Sequence, residues 1–93
     1  MNTETLDFLT SDMGKMLKDN NIDFMVTRNL FVIDKTISVN GEYFSQERAE
    51  KYSDAWAVLD HYFLYSSPSY ILVKVKDYNK AVDLTIELYS DGF

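Results

Sequence analysis

The chain has 93 residues, 46% of them hydrophobic and 15% aromatic, which is too apolar for a disordered chain and enough to fill one small core. It has no cysteine, so disulfide scaffolds, thiolate metal sites and cysteine nucleophiles are excluded, and a reducing, cytoplasmic setting is expected. Fifteen acidic residues against nine basic ones give a net charge of −6, which repels phosphate backbones and anionic lipids and attracts basic proteins.

No apolar run approaches the length of a membrane span, and the polar, acidic opening from Met1 to Leu6 does not have the pattern of a signal peptide. One domain over 1–93 is expected. Leu6, Leu9, Met13, Met16 and Leu17 recur at helical spacing and predict a helix from about Thr3 to Asp19, with Asn20-Asn21 as its stop. Ile22, Phe24 and Val26 then alternate with Asp23, Met25 and Thr27, the period of a strand. Leu30–Ile33 and Thr36–Val39 read as two more strands, or as one long strand that Asn40-Gly41 turns back into Glu42–Phe44.

Ser45 is placed to cap a second helix, with Glu47 in its first turn. Ala49, Tyr52, Trp56, Leu59 and Phe63 give that helix a core stripe out to Phe63, and Ser66-Ser67-Pro68-Ser69 reads as loop. Ile71, Val73 and Val75, and then Val82, Leu84, Ile86 and Leu88, alternate with polar residues. They predict a hairpin about Asp77–Lys80 that pairs Lys74 with Asp83 and Val73 with Leu84, a helix from near Asn79 being the rival. The fold class is then α+β: a mainly antiparallel sheet of hairpins packed by two helices, in the order α-β-β-β-α-β-β.

Residues able to carry chemistry are few. His61 is the single histidine, without a partner at the spacing of a zinc site, and the three glycines, Gly14, Gly41 and Gly92, cannot form a phosphate loop. No cofactor, metal or catalytic residue is expected, and the chain reads as a binding protein rather than an enzyme. On the predicted second helix, Glu47, Glu50 and Asp54 share one face. That face is either a solvated surface or an acidic ridge for a basic groove, and Asp23, Asp34 and Glu42 could extend it. Tyr62, Tyr65, Tyr70, Tyr78 and Tyr89 gather in the C-terminal half, with Tyr62 and Tyr65 off the main stripe. They either seal the core rim or supply an interface.

The small size, the acidity and the element order from Leu6 to Phe63, including Val39-Asn40-Gly41-Glu42-Tyr43 as a turn towards an aromatic helix, resemble small phage-encoded inhibitors of CRISPR nucleases. The resemblance implies carboxylates presented where a nuclease expects nucleic-acid phosphates. The expected function is inhibition of a basic, nucleic-acid-handling protein, with no direct nucleic-acid or membrane contact. The alternative is a generic adaptor or homo-oligomeric module that uses its tyrosines.

Overall fold

A computed structural model of the chain describes residues 11–28, 36–37, 42–64, 67–90, with the side chains of 36–37, 62–64 and 67 left out. The elements are α1 (Asp12–Asp19), β1 (Phe24–Thr27), β2 (Thr36–Ile37), α2 (Gln46–Lys51), β3 (Trp56–Leu64), β4 (Ser67–Lys74) and α3 (Val75–Ser90). The sheet runs β1-β4-β3-β2, antiparallel between β1 and β4 and between β4 and β3, and parallel between β3 and β2. The fold is α+β, with a mainly antiparallel sheet packed by helices, as the composition and patterning predict.

Of the helix predicted from Thr3 to Asp19, residues 3–10 lie outside the described residues, and α1 begins at Asp12. Ser11 is extended, and its hydroxyl accepts the Gly14 N–H at 3.1 Å, so it caps α1 at Asp12 and no continuous helix passes through it. The stop is where Asn20-Asn21 places it. Asn21 takes the left-handed conformation (φ 57°), the Asn21 N–H donates to the Lys18 carbonyl, and the Ile22 N–H donates to the Leu17 carbonyl. That is a Schellman closure, and its usual apolar contact is met by Leu17 and Ile22, both buried in the core. The strand predicted at Leu30–Ile33 and the Asn40-Gly41 turn lie outside the described residues. Glu42–Phe44 belongs to no strand.

Two predicted elements are corrected. The helix capped by Ser45 ends at Lys51, and the residues from Trp56 to Leu64 form β3. The predicted stripe merges two elements: Ala49 lies on α2, whereas Trp56 and Leu59 lie on a strand. Trp, Val, Tyr and Phe favour the pleated sheet, and the turn through Tyr52–Asp54 breaks the helical path. The predicted C-terminal hairpin is absent, because Val75–Ser90 is one helix. Val73 pairs instead with Phe24 and Ala57, and Lys74 with Trp56. The alternation from Val82 to Leu88 masks a longer helical face begun by Val75, Tyr78 and Ala81, all buried.

α3 follows β4 with no intervening loop. Its first free N–H groups are satisfied from outside the helix: Val75 donates to the Ala55 carbonyl at 2.9 Å and Lys76 to the Ser53 carbonyl at 3.3 Å. The core lies between the helices and one sheet face. Met13 and Leu17 of α1, Val26, Ala57, Ile71 and Val73 of the sheet, and Tyr78 and Ala81 of α3 meet there with Phe44. Trp56, Val58, Tyr70, Leu72 and Lys74 alternate onto the opposite sheet face, so Trp56 is half-buried rather than a core residue. Phe63 lies on β3, and its side chain falls outside the description.

Candidate functional site

The carboxylates singled out by the sequence do not form one helical ridge. Glu47 and Glu50 are exposed on α2, but Asp54 stands beyond the helix end, exposed in the turn before β3. Arg48 and Lys51 occupy the same short helix, so its own charges balance. Ser45 caps α2 by accepting the Arg48 N–H at 3.2 Å, and Gln46 donates to Glu50 along the outer face. Lys74 reaches the Asp54 backbone carbonyl at 2.8 Å and lies 4.4 Å from the Trp56 ring centroid, which ties the turn to the sheet.

Asp23, just before β1, and Glu42 are exposed. Asp34 and Tyr65 lie outside the described residues, and the side chain of Tyr62, on β3, is not described. The Asp60 carboxylate accepts its neighbour's N–H, from His61, at 2.8 Å. A β-bulge at Leu59 sets Asp60 opposite Ile71, so its surroundings come from a strand irregularity, not from a helix. His61 is exposed and lies 6.4 Å from the Tyr70 ring.

The segment Glu42–Ser45 is fastened to α3 by side chains that its spacing gives no sign of. Asn79 takes both backbone groups of Phe44, and the Phe44 ring meets Tyr78 edge-on at 5.0 Å. Tyr43 donates its phenolic proton to Asp83 while remaining 54% exposed. That hydrogen bond, then desolvation and the Asp83 charge, hold the Tyr43 phenol above its ordinary value.

A second surface lies where α1 meets the far half of α3. Met16, Leu84, Glu87 and Leu88 line a cavity of about 220 Å³. Ile86 and Tyr89 are 57% and 54% exposed on the same half-helix, whose last turn has no basic residue. Partial burial raises the Tyr89 phenol, followed by the charges of Asp60 and Asp12, so carboxylates from β3 and α1 lie around the end of α3. Sequence reasoning missed this surface, because it read Val82–Leu88 as a strand.

Among the described residues, no group of three or more His, Cys, Asp or Glu could hold a metal ion, and no helix is long and apolar enough to cross a membrane. Comparison with family models, with curated proteins and with solved structures finds no match.

Proposed function

We propose that this chain is a non-enzymatic binding protein that inhibits a basic, nucleic-acid-handling protein. A CRISPR nuclease in the cytoplasm of a host cell is the case that the resemblance suggests. The observation that carries the reading is that Asp23, Glu42, Glu47, Glu50 and Asp54 are all exposed on a chain of net charge −6. Exposed carboxylates project a negative, salt-screened field that steers a cationic groove into encounter, and they compete there with phosphates. Because Arg48 and Lys51 interrupt α2, the surface acts through its summed charge rather than through one ridge.

The test is competition. A purified nuclease bound to labelled nucleic acid is titrated with the chain, and release of the label is the expected result. Replacing Glu47, Glu50 and Asp54 together by Gln or Asn should slow association and leave the melting transition in place, since all three face water. Simultaneous binding of chain and nucleic acid would overturn the reading.

The exposure of Tyr43, Tyr52 and Tyr89 supports the second reading, an adaptor or homo-oligomeric module. It differs in its expected result: binding insensitive to salt, and lost on Tyr52→Ala.

A further inference from the structure

Resting on that reading, we propose that the groove between α1 and α3 seats an amphipathic basic helix of the partner. The helix inserts an apolar side chain among Met16, Leu84 and Leu88 and sets its Lys or Arg residues against Glu87 and Asp12.

The cavity is about 220 Å³. That is below the roughly 300–1,000 Å³ of small-molecule pockets, and it suits a single side chain presented by another surface. Met16 of α1 and Leu84 and Leu88 of α3 give it apolar walls from both helices, which is how an amphipathic helix is held in a groove.

Charge decides the kind of helix. Glu87 is part of the lining, and Asp83, also exposed, precedes it by one turn. Asp12 stands one turn before Met16 on α1, on the same side of that helix. The last turn of α3 has no base to offset these groups, and the negative end of the helix dipole adds to them. Lys80, one turn before Leu84, confines the acidic field to the C-terminal end of the groove. Lys18 lies on the other side of α1 from Met16, whereas Lys15, one turn from Asp12, offsets part of its charge, so Glu87 in the lining is the main carboxylate of the groove. A cation brought to this end would meet exposed carboxylates from α3 and α1. A second copy of the chain would do the opposite, since a two-fold contact would set Glu87 and Asp12 against like charges.

The experiment titrates the isotope-labelled full chain with a synthetic peptide that has Leu at i, i+3, i+4 and i+7 and Lys elsewhere. A scrambled peptide of equal composition is the control. Amide shifts should concentrate at Met16, Leu84, Glu87 and Leu88, the scrambled peptide should bind more weakly, and Glu87→Lys should weaken binding about tenfold while Glu47→Lys changes it little. Glu87 is exposed, so its replacement leaves the fold in place. Equal binding of both peptides, or shifts centred on Glu47 and Glu50, would overturn the groove and leave the acidic-capture reading standing. A peptide that fails to bind while a basic nuclease does would also overturn the groove alone. Failure of both to bind at low salt would remove the broader reading with it.

Discussion

Asn79 holds both backbone groups of Phe44: its Oδ1 accepts the Phe44 N–H at 2.8 Å, and its Nδ2 donates to the Phe44 carbonyl at 3.0 Å. One amide thereby completes the pairing of a residue in no helix or strand, and fixes the approach to α2 against α3. Truncation leaves two partly buried backbone groups to find other partners, so Asn79→Ala should destabilise the chain by about 1–3 kcal/mol. Lys80→Ala, at the exposed next position, should stay within about 0.5 kcal/mol. Chemical denaturation of the two variants side by side checks this, and equal midpoints would show the clamp to be idle.

Tyr78 and Trp56 exchange the roles that size alone suggests. Tyr78 is 1% exposed in the core, whereas Trp56 is half-buried on the opposite sheet face beneath Lys74. Tyr78→Ala should therefore cost about 3–5 kcal/mol, enough to unfold a domain of marginal stability. Trp56→Ala should cost less, and its variant should retain a cooperative melt. A larger loss at Trp56 than at Tyr78 would contradict the placement of the core.

Ser69 is fully buried on β4, and among the described residues its hydroxyl has no hydrogen-bond partner. A buried hydroxyl left unpaired costs about 1–3 kcal/mol of desolvation. Ser69→Ala removes that cost with little change of volume, so it should raise the melting temperature. A lowered melting temperature would mean that the hydroxyl is satisfied in solution.

How much of this was legible in the sequence depends on whether a signal was local. The cap at Ser45, the stop at Asn20-Asn21 and the strand through Ile71–Val73 are each set by neighbours along the chain, and each was readable there. The run from Trp56 to Leu64 was not, because it is apolar on both faces and its register is broken by the bulge at Leu59. Such a run fits a helical stripe as well as a strand, and pairing with β4 and β2, which decides between them, is a long-range event. In α3 the alternation Val82, Leu84, Ile86, Leu88 competed with the helical face of Val75, Tyr78 and Ala81, and the absence of Gly or Pro from 75–90 was the overlooked arbiter. The exposure of Glu47, Glu50 and Asp54 was legible. Their supposed common ridge was not, since it required a helix that stops at Lys51. The α1–α3 groove needs the two ends of the chain side by side, which no local spacing reports.

Tyr43, Tyr78 and Tyr89 all have phenols held above the usual 10.0, Tyr43 first by its hydrogen bond to Asp83 and the other two first by burial. The folded chain therefore holds these protons more tightly than the unfolded chain. That contribution is present in full below pH about 10 and is lost as pH rises through the folded values. Stability should stay level on this account from neutral pH to about 10 and then fall. Tyr43→Phe should remove one tyrosinate step from the alkaline absorbance titration. A melt that strengthens above this range would reverse the sign and contradict the phenolic environments.

The most direct measurement of the acidic-capture account is the salt dependence of association with a purified basic nuclease. Exposed charges are screened beyond a Debye length of about 8 Å at physiological salt, so steering by the summed field should weaken steeply with ionic strength. Between about 50 and 200 mM salt the association rate should fall by at least tenfold, with the dissociation rate changing far less. An association rate that stays constant across that range, together with undisturbed binding of nucleic acid to the same nuclease, would contradict the account.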